Sequence, residues 1–161
     1  MEHEMVREGQ LTKMTDEERA EALAEERTGA EFRAMRETIG WTQREVGVAL
    51  GYGDEQPVKR WENPKAGWII RPFAWAWMDR QVAQHAADVD ALIDRAHEWI
   101  DRQPGRVAGP VLLAYWRNGI PTDGRPAGAL NAIAREVGQF LESEGYGVRY
   151  VWANDEPDAL R

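Results

Sequence analysis

Three times in the first 45 residues a threonine stands three residues ahead of a glutamate: Thr15 before Glu18, Thr28 before Glu31 and Thr42 before Glu45. This is the capping-box spacing. The threonine hydroxyl accepts a backbone N–H one turn in, and the glutamate carboxylate reaches back to the threonine's own N–H. Such starts commit the chain to short, closely spaced helices. Glycines mark the stops. Phe32, Met35 and Ile39 recur at helical intervals and Gly40 follows; Val46, Ala49 and Leu50 form the next apolar face and Gly51 follows. After the turn Tyr52-Gly53, Asp54 is placed to cap a further helix. Pro57 sits in its first turn and Val58 and Trp61 point inward, until Asn63-Pro64 ends it. The helix after Thr15, over 16–27, has almost no apolar face and reads as a weakly docked, acidic arm.

The remainder changes character. From Pro72 the residues Trp75, Met78, Val82, Ala86, Val89, Ile93, Ala96 and Ile100 step by three and four, a near-heptad stripe that Gln103-Pro104-Gly105 terminates. A break near residues 88–90 is compatible with it. Residues 111–116 read as a buried strand, Leu130 to Leu141 as an amphipathic helix stopped by Gly145, and 148–152 as a second strand. Two strands alone are marginal in water. Joining the same strands of a second copy would cover their edges, so Leu113, Tyr115, Val148, Tyr150 and Val151 are the expected dimer interface.

Charge narrows the function. Formal net charge is −8, but residues 1–28 carry −5, residues 29–80 carry +1 and residues 81–161 carry −4. The middle block is where a polyanion would be met. With Val58 and Trp61 inward, Glu55, Gln56, Lys59 and Arg60 face out. Gln56 suits adenine, Lys59 or Arg60 suit guanine or phosphate, and Glu55 can accept from cytosine. Thr42 and Gln43 offer N–H groups and an amide to one phosphate, and Arg44 and Lys65 add backbone charge contacts.

The run GWTQREVGVALG followed by VKRWEN resembles the Xre/Cro-type helix-turn-helix family of bacterial and phage regulators, over about residues 28–66. In that likeness the first run is the second helix and the second run ends the recognition helix. The turn at residues 52–54 is one residue longer than in the commonest members, and Glu55, Gln56 and Pro57 stand where many have small hydroxyl residues. The longer turn, the Trp61-Glu62 pair and the strand–helix–strand end are similar to the anti-CRISPR-associated autorepressors, which are dimers. The resemblance implies a mainly α (α+β) chain. Its parts are an acidic arm over 1–27, a helix-turn-helix over 28–70, a helical and strand–helix–strand dimerisation region over 71–153 and a flexible tail over 154–161. It also implies a homodimeric repressor that occludes a promoter at an inverted repeat of double-stranded DNA.

Other classes are weighed against this. An antitoxin or other protein-interaction module, neutralising a partner through the acidic arm or the second half, is the alternative. RNA is a weaker target than duplex DNA. With no cysteine and only His3, His85 and His97, no metal or other cofactor is expected. Glu142 and Glu144 have no nucleophile or phosphate loop beside them, so no enzyme is expected. No apolar run approaches a membrane span, and a charged start is no secretory signal, so a cytoplasmic chain is expected. Trp68, Trp75 and Trp77 are expected to pack between the two halves.

Overall fold

The computed structural model describes residues 14–105, 109–119 and 123–161. The first thirteen residues of the acidic arm, His3 among them, lie outside these. The described residues are mainly helical with one small parallel sheet: α1 (Asp16–Ala24), α2 (Gly29–Thr38), α3 (Gln43–Ala49), α4 (Gln56–Glu62), α5 (Pro72–Asp101), β1 (Val111–Tyr115), α6 (Ala127–Ser143) and β2 (Val148–Trp152). No helix among the described residues is long and apolar enough to cross a membrane. The chain divides into two compact units, Met1–Gln81 and Val82–Arg161.

In the first unit all three capping boxes form, with both reciprocal hydrogen bonds at Thr15, Thr28 and Thr42. The glycine stops also form: Gly40 and Gly51 adopt φ of 76° and 87°, the left-handed region that ends a helix with least strain. Helix α4 begins differently from its sequence pattern. Glu55 is the residue ahead of it and makes no side-chain cap, while Asp54 Oδ1 accepts the Gln56 N–H at 2.8 Å. The core centres on Phe32, Ile39, Val46 and Val58, all 2% exposed or less. Phe32 meets Trp61 and Trp75 edge-on, with ring centroids 5.6 and 5.2 Å apart. Trp75 therefore packs inside the first unit, with the Arg27 guanidinium 4.1 Å over its ring, and Trp77 lies edge-on to Trp41 in the same unit. Trp75 and Trp77, at the start of α5, thus pack on rings of residues 28–70 as expected, whereas Trp68 is 46% exposed.

The long stripe is one unbroken helix, and its buried register differs from the expected one. His85 and Leu92 are buried where the pattern favoured Ala86 and Ile93. His85 Nε2 lies 2.7 Å from Glu136 Oε2, so a polar seam position is matched from α6.

The two strands are not isolated. They pair in parallel, Val111 with Val148 through Tyr115 with Trp152. Parallel neighbours need a crossover, and α6 supplies it. Val111 and Leu113 pack with Ile133, Ala134, Val137 and Leu141 of α6 and with Val89, Leu92 and Ala96 of α5. The opposite sheet face carries a second, small cluster of Ala114, Ala153 and Ala159. Nor is the tail loose. Leu160 bridges to Leu113 on the other side of β1, accepting the Ala114 N–H at 2.9 Å and donating to the Leu112 carbonyl at 2.9 Å. The reading of residues 154–161 as a flexible tail fails because their backbone finds a strand edge that short-range pattern does not reveal.

Candidate nucleic-acid interface

The outward residues of α4 are held from behind. Gly47 lies so close to the following segment that a Cβ there would stand 1.8 Å from the Asp54 carbonyl oxygen. Helix α3 therefore approaches the segment just ahead of α4 to backbone distance. Gly29 does the same for α2, where a Cβ would lie 2.0 Å from the Trp61 carbonyl oxygen. Between them runs a charged network. Arg36 Nε donates to Glu62 Oε1 at 2.7 Å and Nη2 to Oε2 at 3.0 Å, a two-point pair, while Nη1 donates to the Trp41 carbonyl at 2.8 Å. The side chains of Arg36 and Glu62 are only 9% and 3% exposed. Gln43 Nε2 completes the network at 2.7 Å from Glu62 Oε2. One buried carboxylate thus ties α2, the start of α3 and the end of α4 together.

This places Gln43 differently from its sequence assignment. Its amide group donates inward, so the side chain is half-buried bracing rather than a free phosphate contact. Thr42 spends its hydroxyl on the Glu45 N–H at 3.1 Å and its own N–H on the Glu45 carboxylate at 2.8 Å. The cap thereby engages the Thr42 N–H, while the Thr42 O–H donor and the main-chain N–H groups of Gln43 and Arg44 take no part in it. Arg44 remains exposed, its guanidinium 3.7 Å from Glu55 Oε2.

On α4, Pro57, Val58 and Trp61 are buried, whereas Gln56 and Lys59 are exposed and Arg60 is half-buried. Glu55 Oε1 accepts from Lys59 Nζ at 3.1 Å, one turn along the helix. The backbone N–H of Glu55 itself, then the Lys59 hydrogen bond and charge, hold the Glu55 carboxyl below the usual carboxylate range. Arg60 lies with its guanidinium 4.8 Å over the exposed Trp68 ring. Lys65 is exposed, in a turn where its N–H donates to Asn63 Oδ1 at 3.0 Å. Arg44 and Lys59 thus both pair with Glu55, while Arg60 lies over Trp68 and Lys65 is exposed in the turn after α4.

Arg36 and Gly47 were not singled out from sequence, and Glu62 only through the Trp61-Glu62 pair, although the signals exist. Arg36 interrupts the stripe of Phe32 and Ile39 at i+4 and Glu62 follows Val58 at i+4, so each is a charge on a buried face that requires a partner. Gly47 sits inside a capped helix, where glycine costs about 1 kcal/mol unless close approach demands it.

The expected dimer residues fall into two groups. Leu113 is 0% exposed, inside the core of its own unit, and Val151 is half-buried against the small cluster on the opposite sheet face. Leu113 is therefore corrected from interface to core: α6 and α5 cover it. Tyr150 is 41% exposed, Tyr115 and Val148 are half-buried, and Tyr115 lies edge-on to Tyr150 and Trp152. No cluster of three or more metal-binding side chains occurs among the described residues. Comparisons with models of known protein families, with curated proteins and with solved structures gave no match.

Proposed function

We propose that the chain is a sequence-specific regulator that binds double-stranded DNA, with α3 and α4 as a helix-turn-helix and α4 as its reading helix. The observation that carries this reading is the braced α4. A helix seven residues long has its back fixed by the buried pair Arg36 with Glu62 and by the Gly47 contact, while Gln56, Lys59 and Arg60 project from its front. A reading helix needs its backbone held in place, because a hydrogen bond to a base edge is lost once donor and acceptor part beyond about 3.5 Å.

In this reading Gln56 addresses adenine, and Lys59 or Arg60 addresses guanine. Arg44 and Lys65 meet phosphates on either side. Glu55 acts as a selector. It accepts from cytosine and repels phosphate, so its charge costs affinity on wrong sequences. Duplex RNA is disfavoured, since its deep narrow major groove does not admit a helix. Thr42 and Gln43 hold the start of α3, where main-chain N–H groups are offered to one phosphate.

A homodimer completes the reading. One short helix reads few base pairs, and a twofold copy doubles the site. Among the described residues β2 pairs on one side alone, and its outer edge, beside the exposed Tyr150, is the surface for a second copy, while Tyr115 and Val148 pack on the unit's own core. The dimer represses by covering an inverted repeat in a promoter. Nuclease footprinting of the DNA flanking the chain's own gene tests this. Two protected half-sites about one helical turn apart support it. Absence of any protected site at micromolar protein, with the chain folded, overturns it.

A further inference from the structure

The second unit holds a cavity of about 220 Å³ beside the carboxyl end of β1. Its walls are apolar: Leu92 from α5, Ala114 and Trp116 from the end of β1, and Leu130 and Ile133 from α6. This volume suits one substituted six-membered ring, since a cavity of about 150 Å³ accepts benzene. The position also fits a general rule, because ligands of parallel strand–helix–strand units bind beyond the carboxyl ends of the strands. Asn131 fixes the aromatic wall. Its side-chain amide takes the Trp116 N–H at 2.7 Å and donates to the Trp116 carbonyl at 2.8 Å.

The polar rim decides the ligand class. It carries Asp88, Asp123 and the guanidiniums of Arg95, Arg125 and Arg161. Both carboxylates are already spoken for. Asp88 accepts from Gln84 at 2.9 Å on one oxygen and from Arg125 at 2.6 Å on the other. Asp123 accepts the Arg125 N–H at 2.9 Å and the Arg125 Nε at 2.8 Å. The donors are in excess. Arg95 is exposed and gives one bond to the Arg161 main-chain oxygen at 2.7 Å, from a fork of five N–H donors. Arg161 lies near the Trp116 ring and donates to the main-chain oxygens of Glu156 and Pro157. Three guanidiniums against two carboxylates, both of which face Arg125, leave the mouth with a formal excess of positive charge above an apolar, aromatic floor.

We propose that this cavity binds a small single-ring carboxylate, with the ring against Trp116 and the aliphatic wall and the carboxylate on Arg95. The site does not depend on the DNA-binding reading, and its test does not involve DNA. The full chain, labelled with ¹⁵N at tryptophan indoles, is titrated with benzoate, and in parallel with benzyl alcohol and benzylamine. Trp116 is assigned by Trp116→Phe. Benzoate should shift the Trp116 signal saturably with a Kd of about 1 mM or tighter, the range open to a ligand of about nine heavy atoms. Benzyl alcohol and benzylamine should bind at least about tenfold more weakly, because neither satisfies the guanidinium. Arg95→Gln should remove the preference for benzoate, and Leu130→Trp should fill the cavity and remove binding of all three. No Trp116 shift at about 20 mM benzoate, far above the expected Kd, overturns the proposal. Equal affinity for the three probes in the unaltered chain overturns it too, whatever the variants do.

Discussion

Arg36 and Glu62 face each other at 2.7 Å with almost no water around them. Removing one partner strands the other charge in the core. Arg36→Ala should therefore cost about 3–5 kcal/mol, read by urea denaturation, with the Gln43 bond lost as well. The reading residues should behave oppositely. Gln56→Ala and Lys59→Ala should each weaken binding to a cognate duplex by roughly 1–3 kcal/mol. Stability should hardly change, since Lys59 forms only an exposed pair with Glu55. Glu55 gives a pH signature. Its folded pKa is depressed, so its contribution to stability is complete above the ordinary value of 4.5 and fades as pH falls through the lower folded value. In Lys59→Met its carboxyl carbon should titrate at a higher pH than in the unaltered chain, by NMR. The exposure of Gln56 and Lys59 was legible because Val58 and Trp61 fix the helix phase, whereas Glu55 and Arg60 are half-buried. The inward turn of Gln43 was not legible, because its partner Glu62 lies 19 positions on.

At the scale of elements, capped helices were the readable part. A capping box and a stop glycine are local, so α2 and α3 follow from a dozen residues each. The seam of α5 was harder. From Val82 a step of four reaches Ala86 and a step of three reaches His85. Apolarity favours Ala86, but Glu136 on α6 stabilises buried His85 from 51 positions away. Strand pairing was likewise non-local: β1 finds β2 on one edge and Leu160 on the other. Leu160→Ala should cost about 2 kcal/mol in a thermal or urea melt, the low end for a leucine truncation because the side chain is only partly buried. Gly47→Ala is the corresponding test of the α3–α4 approach. A methyl group 1.8 Å from the Asp54 oxygen must push the helices apart. DNA binding should fall further than stability does, because register in the groove tolerates little displacement.

For the whole molecule, reading an inverted repeat requires two copies of the chain on one site. Light scattering of the full chain should give twice 18.3 kDa at micromolar concentration. Tyr150→Glu, on the exposed strand, should give a folded monomer. Leu113→Glu should instead unfold the second unit, as a charge forced into its own core. Residue type and spacing revealed that the chain is mainly helical with a late strand–helix–strand segment. They did not reveal which strand faces water, since that depends on how α5 and α6 cover β1. The most direct test of the central claim is selection of duplexes from a random pool by the full chain, compared with selection by Gln56→Ala and Lys59→Ala. The unaltered chain should enrich an inverted repeat, with half-sites about one helical turn apart. Each variant should lose preference at particular bases while keeping the spacing. No enriched motif, or the same motif from all three proteins, would contradict it.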